Sequence, residues 1–230
     1  MKKEISKRDF YTQQAKKEGY PARSVYKLQE IDNKFRLFRP GFFVLDLGCA
    51  PGSWLLYISG AVGPLGRVFG VDKDNLKIRL PFNATFLQKD IFDADLIEML
   101  GNFGRFNCVV SDLAPKISGI KDVDHYNSSL LCFRALEIAQ KILMKEESAL
   151  LRANEFRLSD KADLRKKENY FSAEKQSSHS SFVCKVLESP QTAHFIKQVK
   201  RNFLFVKSFK PKASKRFSKE FFVVAKGFKG

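Results

Sequence analysis

The stretch Leu45-Asp46-Leu47-Gly48-Cys49-Ala50-Pro51-Gly52-Ser53-Trp54 joins an apolar strand pattern to the beginning of a helical pattern. Its glycines let the backbone approach a ligand closely, and the nucleotide-like ligands of doubly wound sheets bind at such strand ends. A dinucleotide-binding loop would carry three glycines in the order G-x-G-x-x-G to receive a pyrophosphate. That pattern is absent, because Cys49 and Ala50 follow Gly48. We therefore expect Asp46 to face a cationic ligand.

Further apolar runs along the chain predict the other strands of a parallel sheet. Near-continuous apolar runs are typical of strands that are buried on both faces. Four occur in the first half of the chain, at 42–47, 67–72, 84–87 and 108–112. Helix-length segments begin near Ser53, Asn75 and Asp93. This alternation indicates a doubly wound α/β fold with helices on both faces of the sheet.

The second half contains one long helical pattern and three more strand patterns. The helix is predicted from about Asp124 to Lys145. Its core-facing positions are Leu131, Ala135, Ile138, Ala139 and Ile142. The strands are predicted at 182–186, 203–206 and 220–225, and the last two are close enough in sequence to form an antiparallel hairpin. The prediction is a seven-stranded, mostly parallel sheet with an antiparallel last strand.

The charge balance favours a polyanionic partner. The 230-residue chain has 41 Lys and Arg against 25 Asp and Glu, a net charge of +16. Such a field favours nucleic acid or an anionic membrane, although a basic surface can also serve solubility alone. The chain has no run of roughly 18 apolar residues, and its charged beginning lacks the apolar segment of a secretory signal. We predict a soluble, cytoplasmic protein without a membrane partner.

The cysteines and histidines show no metal-binding pattern. They stand singly in the sequence, at Cys49, Cys108, Cys132, Cys184, His125, His179 and His194. A zinc site would require paired spacing, and a disulfide scaffold would require a higher density of cysteines. The sequence therefore predicts buried free thiols in a reducing compartment and no metal site.

Acidic residues lie at or just after the ends of the first three predicted strands. Asp46, Asp72 and Asp90 would meet in one crevice, where Asp72 could bind a ribose diol and Asp90 an adenine amino group. S-adenosylmethionine fits such a lining, because it carries an amino group and a sulfonium but no phosphate. Each aspartate alone would be read as a helix cap or a turn residue. The predicted cofactor contacts are Asp46, Gly48, Pro51, Gly52, Ser53, Trp54, Asp72, Asp90 and Asp112, with a core position slightly favoured for Trp54.

Four charged residues are candidates for catalysis. Asp112 ends the fourth strand at the same edge as the cofactor crevice. Lys185 lies within an apolar strand, where a lysine must find a carboxylate partner or lose its proton. Lys27 lies on a predicted helix before the first strand, and Glu220 begins the last strand. Taken singly, Lys27 suits an ordinary amphipathic helix and Glu220 a strand edge.

The motifs around these residues resemble those of the FtsJ (or RrmJ) family of RNA 2′-O-methyltransferases. The resemblance covers residues 7–145 and 182–229, and its motifs lie at 22–31, 111–119, 182–186 and 218–229. It implies a Rossmann-like S-adenosylmethionine-dependent methyltransferase fold and a catalytic tetrad of Lys27, Asp112, Lys185 and Glu220. It also implies a large-subunit ribosomal RNA substrate, with a uridine in the loop that receives aminoacyl-tRNA as the expected target. In this role Lys185 would activate the ribose hydroxyl, and Asp112 would orient Lys185.

The sequence departs from the family pattern at two places. Ser53 stands where the family usually has a second glycine. An insertion at about 146–180 replaces a short glycine turn, and we expect it to enter beside Lys185 and to affect substrate access or strand register. The predicted organisation is a basic N-terminal extension, 1–35, whose helix carries Lys27, and a methyltransferase domain, 36–230. A monomer is expected.

Basic residues close in sequence to Lys27 and to Glu220 are the candidate RNA contacts. They are Lys16, Lys17, Arg23, Lys207, Lys210, Lys212, Lys215 and Arg216. Contacts of this kind grip phosphates without reading the base sequence. Three alternatives stay open: a transfer RNA or messenger RNA cap substrate, an RNA-binding ribosome-assembly factor without catalysis, and a dehydrogenase. The complete tetrad argues against the second alternative, and the missing glycine pattern argues against the third.

Overall fold

The computed structural model describes residues 7–116, 118–146, 180–214 and 218–230. The predicted insertion, apart from its end residues Glu146 and Ser180, lies outside these ranges, as do Lys215 and Arg216. The described strands are β1 (Phe43–Leu47), β2 (Arg67–Asp72), β3 (Ala84–Gln88), β4 (Cys108–Ser111), β5 (Ser181–Leu187), β6 (Phe203–Phe209) and β7 (Glu220–Phe228). The described helices are α1 (Lys7–Lys17), α2 (Val25–Phe35), α3 (Ser53–Val62), α4 (Leu96–Gly101), α5 (Lys121–Ile142) and α6 (Thr192–Asn202).

The strands form one seven-stranded sheet in the order β3-β2-β1-β4-β5-β7-β6. Strands β1 to β5 pair in parallel, whereas β7 runs antiparallel to both of its neighbours, β5 and β6. The predicted fold class is confirmed, and so is the hairpin of the last two strands. The hairpin places β7 inside the sheet and leaves β6 at the edge.

Apolar side chains alternate between the two faces of the sheet and form a separate core on each. Leu45 and Val109 lie in the core under α4, α5 and α6, together with Ala135 of α5. Val44 and Val110, one residue away on the same strands, lie in the core under α2 and α3. Burial on both faces explains why the parallel strands have near-continuous apolar sequences.

Helix α2 contributes directly to the second core. Leu28 and Ile31 are fully buried in the same cluster as Val44 of β1 and Leu55 of α3. The segment 1–35, predicted as an extension, therefore contains a helix that packs on the sheet and fixes the position of Lys27. None of the described helices is long and apolar enough to cross a membrane.

The predicted helix near Asn75 is wrong, because residues 73–83 have an irregular backbone. Pro81 lacks an N–H and restricts the residue before it, which disfavours a helix in this short segment. Tertiary contacts hold the segment instead: the Lys77 N–H donates to the Pro51 carbonyl at 3.0 Å. A Cβ atom on residue 52 would lie only 2.6 Å from Cδ1 of Ile78, so the Ile78 side chain packs directly against Gly52. The segment thus covers the glycine loop.

The insertion is attached at the amino ends of the parallel strands, whereas Lys185 lies near their carboxyl ends. Its two ends lie together, since the Ser180 hydroxyl donates to Glu146 Oε2 at 3.2 Å. Ser181 pairs with Cys108 at the amino end of β4, whereas Lys185 lies four residues further along β5, about 13 Å away. The expectation that the insertion enters beside Lys185 is therefore wrong for its point of attachment, and β5 keeps a regular register with β4 and β7.

Candidate active site

Strand alternation brings three polar residues to one face of the sheet. Asp46 lies two residues after the buried Val44, and Lys185 two residues after the buried Val183. Glu220 lies at the beginning of β7, where it pairs in register with Leu187 of β5. All three occupy the face that carries α2 and α3, at the edge where the parallel strands end. On this edge the apolar pattern of the core gives way to charged side chains.

Two ion pairs form at this edge. Lys27 Nζ lies 2.6 Å from Glu220 Oε1, and these side chains are only 13% and 18% exposed. Lys185 Nζ lies 3.1 Å from Asp112 Oδ1 and donates a hydrogen bond to the Asp112 carbonyl at 2.7 Å. The structure thus brings together two lysines and two carboxylates that are distant in the sequence.

The two ion pairs are electrostatically connected through Glu220. Burial alone would raise the pKa of Glu220, but the hydrogen bond and charge of Lys27, with the charge of Lys185, lower that pKa below its ordinary value. Lys27 Nζ also lies 5.9 Å from the centroid of the Phe222 ring, which forms the floor beneath it. Lys27, in direct contact, and Lys185, through its nearby charge, therefore stabilise Glu220 as a carboxylate.

A cavity of about 510 Å³ opens beside the Lys185–Asp112 pair at the carboxyl edge of the sheet. Its carboxylates are Asp72, Asp74, Asp90 and Asp112. Asp112 belongs both to this cavity and to the ion pair, so a ligand in the cavity would lie next to Lys185. The lining also includes Lys89, whose ammonium is held by Asp95 at 2.8 Å. Lys73 and Lys116 line the cavity as well, so four carboxylates stand against three lysines and leave a small excess of negative charge. This excess and the carboxylate acceptors suit a ligand that carries positive charge and hydrogen-bond donors.

Asp46 is a buried carboxyl group that the described residues leave without a hydrogen-bond partner. Its side chain is fully buried, and neither carboxylate oxygen accepts a hydrogen bond within the described ranges. Burial raises the pKa of Asp46 well above its usual value, and the negative charges of Asp112 and Asp72 raise it further. Most buried polar groups in proteins have a partner. Asp46 does not itself line the cavity, but its charged neighbours Asp72 and Asp112 do.

The glycine loop has a backbone that only glycine adopts easily at two positions. Gly48 has a φ of 80° and Gly52 a φ of 114°. A Cβ on Gly48 would lie 2.9 Å from the side chain of Leu113, which lines the cavity. Asp72 fixes the loop, because its Oδ2 accepts the N–H of Ala50 at 2.9 Å. The loop and the end of β2 are therefore held as one unit.

Comparison with known proteins identifies the family. The sequence pattern described as FtsJ-like methyltransferase matches residues 20–228. The chain belongs to the FtsJ-like methyltransferase family. It is 40% identical over 225 residues to the ribosomal RNA large subunit methyltransferase E of Oleidesulfovibrio alaskensis, covering 97% of this chain and 93% of the relative. The protein of the same name from Nitratidesulfovibrio vulgaris strain DP4 is 38% identical over 225 residues, covering 97% of this chain and 94% of the relative.

A solved structure shows the same fold as this FtsJ-like methyltransferase. A ribosomal RNA methyltransferase from Plasmodium falciparum superposes with a TM-score of 0.66 at 24% identity, covering 92% of this chain and 100% of that chain. The resemblance inferred from the sequence motifs is confirmed by the family match, and the methyltransferase class follows from it.

The predicted cofactor residues of this FtsJ-like methyltransferase divide into three groups. Those that line the cavity are Gly48, Asp72, Asp90 and Asp112. Asp46 is fully buried. Those outside the lining are Pro51, Gly52, Ser53 and Trp54. The last group shapes the glycine loop and the beginning of α3 without facing the cavity.

Trp54 and Ser53 connect α3 to the segment before α2. Trp54 is 3% exposed and packs against Phe222, and its Nε1–H donates to the Ser24 carbonyl at 2.9 Å. The Ser53 hydroxyl accepts the N–H of Ala22 at 2.7 Å. These contacts hold the segment that leads to Lys27. The serine at this position, where the FtsJ family usually has glycine, thus provides a hydrogen bond that glycine lacks.

Removal of the Ser53 hydroxyl should destabilise the protein. In Ser53→Ala the half-buried N–H of Ala22 loses its acceptor. An unsatisfied donor of this kind costs about 1–3 kcal/mol, so the free energy of unfolding in urea should fall by that amount. A Ser129→Ala variant, which removes a hydroxyl that donates to the His125 carbonyl of its own helix, is the control and should lose less. Equal stability of Ser53→Ala and the wild-type protein would contradict the assigned contact.

Several residues of the cavity were not predicted from the sequence. Asp74 lies two residues beyond Asp72, and Phe92 two residues beyond Asp90, in the loops that follow β2 and β3. Both lie close to residues that were predicted, and their position just after the end of a strand could have identified them as part of the cavity. Lys89 was not predicted either, because its ion pair with Asp95 becomes visible only in three dimensions.

The predicted RNA contacts that the structure describes lie on both sides of α2. Lys16 and Lys17 are exposed at the end of α1, and Lys207 is exposed on β6. Lys212 is exposed in the loop after β6, and the Lys210 ammonium donates to the Ser218 carbonyl at 2.7 Å. Arg23, which is half-buried, precedes α2.

Proposed function

We propose that this FtsJ-like methyltransferase transfers the methyl group of S-adenosylmethionine to a ribose 2′-hydroxyl of large-subunit ribosomal RNA in the cytoplasm. The observation that carries the proposal is the meeting of the Lys27–Glu220 and Lys185–Asp112 pairs beside the acidic cavity. Two relatives that match nearly the whole chain are named ribosomal RNA large subunit methyltransferase E. The net charge of +16 supports an RNA substrate.

The residues of the cavity fit S-adenosylmethionine. Asp46 has two buried oxygens without a partner in the described residues, and Asp72, Asp90 and Asp112 add acceptors at the strand ends. When bound, the cofactor supplies an electrophilic methyl group on a sulfonium. Asp46 and Asp112 would balance its positive charges, Asp72 would accept from the ribose diol, and Asp90 would accept from the adenine amino group. The glycine loop would let the backbone approach the ligand closely.

The four charged residues would bind and activate the acceptor ribose. Lys185, in its deprotonated form, would accept the proton of the 2′-hydroxyl on Nζ, and Asp112 would hold Lys185 through its carboxylate and carbonyl oxygens. Lys27 and Glu220 would hold the ribose oxygens, since their own ion pair fixes both side chains. Positioning of a reactant in this way can lower a barrier by roughly 7–11 kcal/mol.

A methyl-transfer assay tests the proposed function. Purified protein is incubated with tritium-labelled S-adenosylmethionine and ribosomal subunits from a strain that lacks the gene. Label should enter large-subunit RNA at one position, and the adjacent phosphodiester should resist alkali because the 2′-oxygen is blocked. Incorporation into a base, or into transfer RNA only, would refute the proposal. A protein that binds subunits without incorporation would be an assembly factor.

Charge reversal in the basic segment between β6 and β7 should weaken RNA binding. In the triple variant Lys212→Glu, Lys215→Glu and Arg216→Glu, three phosphate contacts are expected to disappear. For a single strand the slope of log K against log salt changes by about 0.7 per contact, so it should flatten by about 2. The measurement is RNA binding over a salt series.

A matched control lies on the opposite face. Lys197, Lys200 and Arg201 are exposed on α6, which packs on the other core through Phe195 and Val199. Reversal of these three charges should change the salt slope by no more than about 0.7, the contribution of one phosphate contact. Equal effects of the two triple variants would show that the basic loop is not a specific RNA contact.

A further inference from the structure

We infer that a second cavity, between α1, α2 and the end of β6, binds the base of a nucleotide adjacent to the methylated one. The inference rests on the proposed function, because it assigns the neighbouring part of the same RNA strand. The cavity has a volume of about 540 Å³. Its lining includes Tyr11, Gln29, Asn33, Lys34, Phe209 and Lys212.

The second cavity lies next to the ion pairs, on the side away from the acidic cavity. Lys27, Glu30 and Lys34 follow one another at turn spacing along α2, and Glu30 and Lys34 line the second cavity. One to two turns of a helix span about 5–10 Å. Phe209, at the end of β6, pairs in register with Phe222, the ring beneath Lys27. A strand of RNA whose ribose lies at Lys27 can therefore place its next base in this cavity.

The side chains of the second cavity suit a nucleobase. Tyr11 packs against Tyr26 with ring centroids 5.3 Å apart, which holds the Tyr11 ring in place. Phe209 provides a second aromatic surface, and bases of single-stranded RNA stack on aromatic rings whatever their sequence. The amides of Gln29 and Asn33 add hydrogen-bond donors and acceptors, which match the polar edge of a base.

Positive charge at the rim favours RNA over a protein ligand for this cavity. Lys34 is exposed, and its Nζ lies 4.5 Å from the centroid of the Phe209 ring. Lys212 is held at the rim, because the Glu30 carboxylate accepts the N–H groups of Lys212 and Ala213 at 2.7 and 2.8 Å. Two ammonium groups beside an aromatic wall match a phosphate and a base of the same nucleotide.

The test combines a variant without charge changes with an altered RNA. In the double variant Tyr11→Leu and Asn33→Ala, the ring and one amide are lost while the charge and most of the apolar volume remain. Binding of a fluorescent single-stranded RNA should weaken about tenfold, within the range measured for loss of one stacked base. The salt slope should stay unchanged, because no phosphate contact is removed. Asn33 is exposed, so Asn33→Ala alone keeps the fold and should show a smaller loss in the same direction.

An abasic scan of the RNA identifies the contact as a base contact. Each nucleotide of the RNA is replaced in turn by an abasic one. At one position this should weaken binding to the wild-type protein about tenfold, and the same abasic RNA should bind the double variant no more weakly than the intact RNA does. The control is Phe82→Leu, an 83% exposed ring before β3 at the other edge of the sheet, which should bind all RNAs as the wild-type protein does.

The outcomes separate this inference from the proposed function. If wild-type protein methylates ribose but the double variant binds RNA normally, only the cavity assignment fails. The cavity assignment also fails if the double variant and every abasic RNA weaken binding independently, so that the combined loss of affinity is the product of the two separate losses. If the protein transfers no methyl group to ribose, the proposed function fails, and the binding and abasic measurements still decide whether the cavity holds a base. Unchanged RNA binding with loss of a bound protein would assign the cavity to a protein partner.

Discussion

Replacement of Lys185 by alanine should lower the rate of methyl transfer by about 10²- to 10⁴-fold, the contribution typical of a positioned acid or base. Lys185 Nζ contacts both the carbonyl and the carboxylate of Asp112, so it is held at the edge of the acidic cavity. Alanine removes the proton acceptor but leaves the cavity and its carboxylates in place. Binding of S-adenosylmethionine should therefore change little, and calorimetry together with single-turnover kinetics would measure the two effects separately.

A lysine on the same face of the sheet provides the matched control for Lys185. Lys226 is half-buried on β7, but it pairs with Ser181 at the opposite edge. Burial lowers the pKa of Lys226, and the charge of Arg39 lowers it further. Lys226→Ala should retain the wild-type rate. Substantial turnover by Lys185→Ala, or an equal loss in both variants, would refute the role of Lys185.

The sheet and the ion pairs could be predicted because their signals are local. Apolar runs mark the buried strands, and the order of strands and helices follows the usual pattern of a doubly wound fold. Strand ends at one edge then place Asp112 and Lys185 together. The direction of β5 can also be predicted: an insertion that precedes β5 in the sequence must join its amino end, and Lys185 lies four residues further along the strand.

The errors arose where long-range contacts decide the local structure. The helix predicted near Asn75 gives way to an irregular segment because Lys77 and Ile78 contact the glycine loop. The second cavity depends on three elements that are far apart in the chain, and its aromatic residues, Tyr11 and Phe209, carry no motif. Local propensity does not contain this information.

Replacement of Asp46 by asparagine should stabilise the cofactor-free protein at neutral pH. Burial raises the pKa of Asp46, and Asp112 and Asp72 raise it further, so the folded state binds the proton more tightly than the unfolded state does. The stability that Asp46 contributes is therefore present below the unfolded pKa of about 3.9 and is lost as the pH rises through the higher folded pKa. Asparagine carries no charge. The melting temperature of Asp46→Asn should exceed that of the wild-type protein by an amount that grows as the pH rises above about 4, with roughly 2–4 °C for each kcal/mol of stability gained.

The exposed Asp95 gives a control of opposite sign. Its hydrogen bond to Lys89 lowers the pKa of Asp95, so its negative charge stabilises the folded state above the unfolded pKa. Asp95→Asn should therefore lower the melting temperature slightly at neutral pH and have less effect near pH 4. If Asp46→Asn also lowered the melting temperature at neutral pH, the buried carboxylate would have a stabilising partner within the protein.

The same Asp46→Asn substitution should weaken binding of S-adenosylmethionine while it stabilises the protein. Both oxygens of Asp46 lack a partner in the described residues, and a cationic ligand would supply one. Loss of a hydrogen bond to a charged group of about 1.5–3 kcal/mol corresponds to a roughly 10- to 150-fold weaker Kd. Calorimetry of both proteins would measure it. Opposite changes in stability and affinity would mean that the buried charge is kept for the ligand, whereas unchanged affinity would remove Asp46 from the cofactor site.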